Sequence, residues 1–340
     1  MLRIEAVPAA PYFDLPDEKI AREPATPRDA ARLLVDQGPG QEPLHRRVAD
    51  LPDLLLEGDV VVVNETRVLP ARLRLRKETG GAVEVVLLDT DGPEGTCTAL
   101  VRPSAKVPEG TELRAGDDLV VEVGERLAEG RRRVRLISDD PAAALARHGD
   151  VPLPPYLGGL KVEPERYQTV YARVPGSVAA PTAGLHLTQE VLDRLRARGI
   201  EVLTVDLAVG LDTFRPVTAE RIEDHPVHTE RYRVPPATMA ACRKARRVVA
   251  VGTTTVRALE SAAATNRYEG RTSLLIQPGH RWRVVSALLT NFHQPFSTPL
   301  LLVESLVGPR WRDLYATALA GDYRFLSFGD AMLLQHHTAL

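Results

Sequence analysis

A block of short strand-like runs divides this chain and limits the folds that it can adopt. After Pro70, apolar and β-branched runs alternate with turns rich in Gly, Pro and Asp, and no convincing helical periodicity is present. The runs cover residues 72–76, 82–88, 96–102, 119–123 and 132–137. Regular spacing of this kind is typical of a small antiparallel barrel or sandwich. The sequence therefore predicts a separate all-β unit in the first half of the chain.

Helices and strands alternate on both sides of this block. Val60–Val63 is a continuous β-branched run, which indicates a buried strand. Further strands are predicted at 201–209, 248–251, 274–277 and 284–289, and helices at 26–36, 50–57, 141–147, 189–198, 236–247, 254–264, 297–306 and 310–320. Such alternation indicates an α/β domain. We therefore predict an α/β main domain formed by residues 1–66 and 150–340, with an all-β, barrel-like domain inserted at 67–149.

Composition and charge narrow the class of protein. Hydrophobic residues make up 44% and charged residues 26% of the chain, as in ordinary soluble globular proteins. The net charge of −2 excludes a global basic field, so any contact with nucleic acid has to come from a local patch. The two cysteines show no metal-ligand spacing and imply no disulfide framework, which fits a reducing cytoplasm. We see no signal peptide and no membrane span, and expect a cytoplasmic protein.

The stretch 178–188 combines a bend with a single imidazole. Pro181 fixes its own φ, and Gly184 permits unusual backbone geometry or the close approach of a ligand. Thr188 is placed to cap the helix that follows. Free N–H groups, a partial positive charge and the titratable His186 are thus predicted to meet in one place. A structural turn with a hydrogen-bonded histidine is the alternative.

A second segment is suited to an anion. Residues 251–257 form a strand end, a turn at Gly252 and a helix start with the hydroxyls of Thr253 and Thr254. Backbone N–H donors and the helix dipole would converge there on a phosphate or a carboxylate. The Gly-Lys-[Ser/Thr] ending of a P-loop is missing. The threonines could also simply cap the helix.

Two clusters carry further imidazoles. His225 and His228 lie near Asp224 and Glu230, but no third ligand has a suitable spacing, so we predict an acid–base or substrate-binding cluster and no metal. His293 follows a predicted strand and precedes a predicted helix, which repeats the arrangement of His186. Hydrogen-bonded loop histidines are the alternative for both clusters.

A polar segment and a group of arginines could reach a nucleic acid. Residues 64–67 follow the buried strand, where side chains often face a ligand. The positive residues at 72–77 and 131–135 could contact phosphates. A solvated turn and a solvated strand face are the alternatives.

Taken together, these segments resemble the signature blocks of the S-adenosylmethionine:tRNA ribosyltransferase-isomerase family. The blocks appear in the family's order and span nearly the whole chain. They cover residues 64–72, 167–172, 179–186, 213–217, 222–225 with 228, 252–257, 259–261, 290–293, 323–325 and 329–332. No single block is specific, but the ordered set is.

The resemblance implies both the fold and the reaction. The family combines an α/β domain with a β-barrel domain. Its members transfer the ribosyl part of S-adenosylmethionine, a co-substrate, onto 7-aminomethyl-7-deazaguanine at the tRNA wobble position, and adenine and methionine leave. The product is epoxyqueuosine-tRNA.

The resemblance also suggests roles for the residues above. A base has to remove a proton beside the sulfonium; His186 is the first candidate and His293 the second. His225, His228 or Asp224 would protonate adenine. The residues expected to bind S-adenosylmethionine are Thr182, Gly184, Phe214, Gly252, Thr253, Thr254, Arg257, Asn291 and Phe292. The residues expected to contact tRNA are Asn64, Thr66, Arg67, Arg72, Arg102 and Tyr171, and the aromatic rings of Tyr171, Phe214 and Phe292 could instead hold the sulfonium.

Several positions depart from the family pattern. Leu187, Ala208, Asp212, Ser286 and Pro299 stand where the family usually has other residues. Two alternatives to the tRNA reaction therefore stay open at this stage: the same chemistry on a non-tRNA amine, and a catalytically silent RNA-binding homologue. A monomer is expected in each case.

Overall fold

The computed structural model describes residues 12–90, 92–157, 163–210, 222 and 229–336. Its strands are β1 (Arg32–Val35), β2 (Leu44–Arg47), β3 (Asp59–Asn64), β4 (Thr66–Val68), β5 (Arg72–Lys77), β6 (Ala82–Leu87), β7 (Thr96–Arg102), β8 (Thr111–Ala115), β9 (Leu119–Arg126), β10 (Arg131–Ile137), β11 (Gly149–Asp150), β12 (Val174–Ser177), β13 (Glu201–Leu207), β14 (Glu230–Arg233), β15 (Arg247–Val251), β16 (Glu269–Thr272), β17 (Ala287–Asn291) and β18 (Ala331–Gln335). Its α-helices are α1 (Leu51–Leu54), α2 (Pro141–His148), α3 (Gln189–Ala197), α4 (Pro236–Lys244), α5 (Thr253–Thr265), α6 (Thr298–Val307) and α7 (Trp311–Ala320).

Six strands of the described chain form a closed antiparallel barrel. The order is β5-β6-β7-β10-β9-β8, and β5 pairs again with β8 to close it. Alternate residues of each strand, such as Leu73 and Leu75, point into one buried cluster. The predicted fold class, an α/β main domain with an inserted barrel, is confirmed. The strand β8 was not predicted, because Leu113 is its only fully buried residue and the alternation is too weak to see.

The end of the inserted segment lies next to its beginning. The short strand β11 pairs antiparallel with the first barrel strand, with Asp150 opposite Arg72. An ion pair between Arg74 and Asp150, 3.5 Å long, bridges the same two strands. The two ends of the insertion are therefore held together, whereas the exact domain boundaries at 67 and 149 stay a prediction.

Two barrel arginines form hydrogen bonds within the barrel. Arg132 is almost fully buried, and its guanidinium donates to the carbonyl oxygens of Gly124 and Val107. Arg135 is bound to Glu122. Arg132 therefore cannot make the phosphate contact that charge alone predicted for the segment 131–135.

Nine of the described strands build a mixed sheet in the order β16-β14-β13-β3-β15-β17-β18-β1-β2, whereas β4 pairs with β12 in a separate two-stranded sheet. The central strands β13, β3, β15 and β17 run parallel. Along β3, Val60 and Val62 belong to one buried cluster, whereas Val61 and Val63 belong to another on the opposite face. The prediction that this apolar run is a strand buried on both faces is confirmed.

Two predicted elements are wrong. The helix predicted at 26–36 is a single 3-10 turn, Arg28–Ala30, followed by strand β1. The run Leu33–Val35 is buried completely between β18 and β2, and this burial overrides the capping signal at Thr26. The strand predicted at 274–277 is irregular, and the neighbouring strand is instead β16. None of the described helices is both long enough and apolar enough for a membrane span.

The buried carboxylate of Glu260 fastens a loop to helix α5. Its two oxygens accept hydrogen bonds from the backbone N–H groups of Arg283, Val284 and Val285, each 3.0 Å long, and the side chain is fully buried. A buried carboxylate needs such donors, since burial without them is costly. The loop in turn leads directly into β17, which ends at the candidate site.

We expect Glu260→Gln to lower the free energy of unfolding by about 2–4 kcal/mol, because the amide places a donor against backbone donors. Urea denaturation followed by tryptophan fluorescence measures it, since both tryptophans, Trp282 and Trp311, lie in the α/β part. Glu78→Gln, on an exposed turn, should change stability by less than about 0.5 kcal/mol. Equal effects of both substitutions would contradict the assigned role.

Candidate active site

A cavity opens at the carboxyl ends of the central strands. Its empty space, with the adjoining open solvent included, is about 620 Å³. Its walls come from residues 180–183, the start of α5, the segment 290–299 and the loop 326–327. In open α/β sheets, ligands bind at this edge of the sheet.

One wall of the cavity is the amino terminus of α5. Gly252 precedes the helix with φ of +86°, a left-handed conformation that favours glycine, and its N–H donates to Leu289. Thr253 and Thr254 line the cavity, the first turn holds no acidic residue, and no side chain caps it. Because the first N–H groups of a helix lack partners within the helix, this terminus suits an anion. The structure thus brings together the three residues predicted for that purpose.

The Asn291 side chain ties three segments of the site together. Its oxygen accepts from the Thr182 hydroxyl at 3.0 Å, and its nitrogen donates to the carbonyl oxygen of Leu326 at 3.2 Å and to His186 Nε2 at 2.9 Å. Since a carbonyl oxygen only accepts, the contact with Leu326 fixes which end of the amide is nitrogen. His186 Nε2 therefore carries the lone pair, and the proton of the neutral ring is on Nδ1.

His186 is set behind this amide rather than on the cavity wall. The ring is 5% exposed and borders a second hollow of about 240 Å³, which Arg28 and Arg166 also line. Burial, together with the charges of Arg324 and Arg28, lowers the pKa of His186 to about 4. The imidazole is thus neutral near pH 7, with its basic nitrogen occupied by Asn291.

His293 does line the cavity. Its Nε2 and the Thr290 hydroxyl are 2.8 Å apart, and its backbone N–H donates to the Tyr315 hydroxyl. Its Nδ1 forms no hydrogen bond with a described residue. Burial lowers the pKa of His293 to about 3, so this ring is also neutral. If Nε2–H donates to Thr290, the lone pair of Nδ1 is available to a ligand.

Two apolar residues beside the cavity have left-handed backbones. Leu326, which lines it, has φ of +70°, and Phe296, between the lining residues Gln294 and Ser297, has φ of +54°. Such residues rarely adopt this conformation, which is found mainly where function or the surrounding structure requires it. The loop that carries Leu326 is held by Asp330, whose carboxylate accepts from the backbone N–H groups of Arg32 and Arg324.

Two of the residues predicted to contact tRNA are buried in the fold. Asn64 is inaccessible; its amide binds the backbone of Leu207 and Thr66 and the hydroxyl of Thr254. The hydroxyl of Thr66, also inaccessible, is 2.6 Å from that of Ser177. Both predictions are wrong as direct contacts, because these short polar side chains satisfy buried strand ends instead.

The other predicted tRNA contacts differ in accessibility. Arg67 and Arg102 are exposed. Arg72 is bound to Glu84, with its Nε 2.7 Å from the carboxylate, so its charge is already neutralised. Tyr171 is half-buried, its hydroxyl has no partner among the described residues, and burial raises the pKa of that hydroxyl.

The position of the Tyr171 side chain also explains why residue 184 is a glycine. A Cβ atom at position 184 would lie 1.9 Å from the Tyr171 hydroxyl, so the close approach inferred from the sequence is made by this side chain and not by a ligand. Phe292 lines the cavity, but its ring is fully buried among Tyr315, Tyr323 and Phe325. The ring of Phe292 therefore faces the core and Gly184 faces Tyr171, whereas contact of either residue with S-adenosylmethionine stays a prediction.

Arg257 serves a neighbouring ion pair. It binds the Glu230 carboxylate and donates to the carbonyl oxygen of Leu274, and it is not among the lining residues of the cavity. The predictions for Phe214, Asp224, His225 and His228, and the departure at Asp212, lie outside the described residues. Among those described, no group of three or more His, Cys, Asp or Glu side chains is arranged to hold a metal ion.

The positions that depart from the family pattern are mostly structural. Leu187 is fully buried in the core. The Ser286 hydroxyl accepts from the backbone N–H of Val248, and the half-buried Ala208 donates through its N–H to Arg231. Pro299 alone of the described departures lines the cavity.

Sequence reasoning missed several residues that line the cavity. Tyr156 is not among the predicted site residues, yet its hydroxyl meets that of Ser327 at the cavity. Burial raises the pKa of Tyr156 to about 12, so it is a neutral donor. Gln294, Ser297 and Leu326 also line the cavity. The only signal for them in the sequence is that they lie near the family blocks 290–293 and 323–325.

Comparisons with known proteins agree with this geometry. A model of the family described as "Queuosine biosynthesis protein" matches residues 10–334. A relative from Rubrobacter xylanophilus, named S-adenosylmethionine:tRNA ribosyltransferase-isomerase, is 49% identical over 95% of this chain and 96% of its own. A relative of the same name from Thermus thermophilus is 48% identical over 95% and 97%.

A solved structure is similar as well. The S-adenosylmethionine tRNA ribosyltransferase from Thermotoga maritima superposes with a TM-score of 0.52 at 34% identity, covering 94% of this chain and 98% of that one. The resemblance inferred from the motifs is confirmed by sequence and by fold. The chain belongs to the family of queuosine biosynthesis proteins.

Proposed function

We propose that this chain is an S-adenosylmethionine-dependent tRNA ribosyltransferase-isomerase. It transfers and isomerises the ribosyl moiety of S-adenosylmethionine onto 7-aminomethyl-7-deazaguanine at the wobble position of a tRNA. The observation that carries the proposal is the cavity, where a helix amino terminus and a neutral imidazole face the same space. The near full-length relatives favour this reaction over a non-tRNA amine acceptor or a silent homologue.

The chain's residues suggest how S-adenosylmethionine would be held. The amino terminus of α5, with the Thr253 and Thr254 hydroxyls, suits the methionine carboxylate. Thr182 and Asn291, already bonded to each other, fix the opposite wall.

The choice of base follows from which nitrogen is available. The sulfonium acidifies the neighbouring hydrogens, and a neutral imidazole within reach can remove one of them. His186 Nε2 is occupied by the Asn291 amide, whereas His293 lines the cavity with Nδ1 unpaired among the described residues. We therefore assign the base to His293 and treat His186 as a positioning residue that orients Asn291.

The acceptor needs a route to the cavity and contacts for its backbone. Arg67 and Arg102 are exposed and suited to phosphates, as proposed from the sequence. A base in an anticodon loop is only partly stacked, so it can enter a pocket at a low cost. Protonation of the departing adenine by Asp224, His225 or His228 stays a prediction.

The direct test is turnover. Purified protein, S-adenosylmethionine and tRNA carrying 7-aminomethyl-7-deazaguanine should release one adenine for each modified tRNA. Turnover on the free amine but not on tRNA would favour the non-tRNA acceptor. Salt-sensitive tRNA binding without any turnover would favour the silent homologue.

Thr253→Val should raise the KM for S-adenosylmethionine about tenfold, because it removes a hydrogen bond to a charged group. The decarboxylated analogue, which lacks the carboxylate, should bind wild type and variant equally well. Isothermal titration with both ligands measures this difference. An equal loss of affinity for both ligands would show that the hydroxyl does not contact the carboxylate.

His293→Gln should lower kcat for adenine release by about 100-fold or more, since general-base catalysis contributes that much. His148→Gln, in the barrel beside Asp118, is the control and should leave kcat unchanged. His186→Gln should lower kcat less than His293→Gln. The reverse order would return the role of base to His186.

The pH dependence follows from the lowered pKa of His293. The base acts when neutral, and burial keeps it neutral down to about its pKa of 3. The acid limb of kcat/KM should therefore lie well below pH 6, and activity should change little between pH 7 and 6. A limb near 6.5, the ordinary pKa of histidine, would show that the base is not buried.

A further inference from the structure

Two exposed aromatic rings touch at the segment 294–297, whose end residues line the cavity. Tyr12 is 60% and Phe296 39% exposed, and their centroids are 4.9 Å apart with the planes inclined by 33°. Single exposed apolar residues are common and need no explanation. A contacting aromatic pair beside a ligand cavity is different, because it presents a continuous apolar face to solvent.

The positions of both rings are set by their neighbours. Phe296 follows the lining residue Gln294 by two positions and precedes Ser297, which also lines the cavity. Ser297 fixes the loop, since its hydroxyl donates to the carbonyl oxygen of Gln294 and accepts from the N–H of Leu300. The residue after Tyr12, Phe13, packs against Tyr315 with centroids 5.0 Å apart. Each ring is thus attached to a well-anchored segment.

The backbone of Phe296 is unfavourable for its side chain. With φ of +54° it occupies the left-handed region, where glycine is at ease and a bulky residue is not. Because its ring is exposed, packing in the core does not offset the cost of this backbone conformation. An unfavourable backbone combined with an exposed ring at a site indicates a functional reason for the side chain.

Exposed aromatic rings beside a ligand cavity suit a nucleobase. Proteins recognise single-stranded RNA mainly by stacking unpaired bases on aromatic side chains. The proposed acceptor base must leave its stack to enter the cavity. The adjacent base then loses a stacking partner. We propose that Tyr12 and Phe296 form a stacking platform for the unpaired base next to the modified nucleotide. The proposal rests on the proposed function, because it takes the acceptor to be an RNA.

Phe296→Gly tests the platform without straining the fold. The variant removes the ring and suits the left-handed backbone, so its melting temperature should be equal to or higher than that of wild type. The KM for tRNA should rise about tenfold, within the range measured for loss of one base–aromatic stack. The KM for S-adenosylmethionine and kcat at saturating tRNA should not change.

Matched variants separate stacking from packing. Phe296→Trp should restore the KM for tRNA, and Tyr12→Ala should raise it as Phe296→Gly does. Leu56→Ala removes an exposed apolar side chain at the opposite, amino-terminal edge of β3 and should have no effect. An unchanged KM for tRNA in Phe296→Gly would overturn the proposal. A raised KM for S-adenosylmethionine, which would place adenine on the platform, or a lowered melting temperature would also overturn it.

A binding measurement keeps this test independent of turnover. Fluorescence anisotropy with a labelled anticodon stem-loop compares wild type and Phe296→Gly directly. If wild type turns over tRNA but both proteins bind the stem-loop equally, only the platform fails. If wild type binds more tightly than the variant but does not turn over, the platform stands and the proposed reaction fails. If wild type does not bind the stem-loop, the platform is overturned.

Discussion

The amide of Asn291 is the interaction on which the site depends. It lies at the end of β17, accepts from Thr182 and donates to both His186 and the loop at Leu326. Thr182 and His186 lie in one segment and Leu326 in another, and both segments are distant from Asn291 in sequence. Replacing the amide by an apolar group would leave the buried Nε2 of His186 without its donor and would remove the hydrogen bonds to Thr182 and Leu326. The shape of the cavity and the tautomer of His186 are therefore set by one side chain.

Sequence reasoning worked where local patterns decide the structure. The β-branched run of β3, the alternation in the barrel and the cap at Thr188, which accepts from Val191, all depend on nearby residues. It failed where distant contacts decide. The run 33–35 became a strand only because β18 and β2 lie on both sides of it.

The same distinction applies to the site. The segments were predictable, because each is a polar or glycine-containing turn at the end of a strand. The direction of each side chain was not. Gly184 makes room for Tyr171, Asn64 joins two strand ends to α5, and His186 faces away from the large cavity. A motif shows that a residue matters, but only packing shows whether it touches the ligand or supports a residue that does.

The paired ends of the barrel have a consequence for how such a protein can change. Residues 72–150 contribute no strand to the large sheet in the described structure, and β11 lies against β5 where the insertion begins. Bringing the two ends together across the gap thus requires little additional ordering of the chain. The barrel is a unit of its own beside the sheet that carries the cavity. Its outer surface can therefore change in sequence without altering the residues that line the cavity, none of which belongs to the barrel.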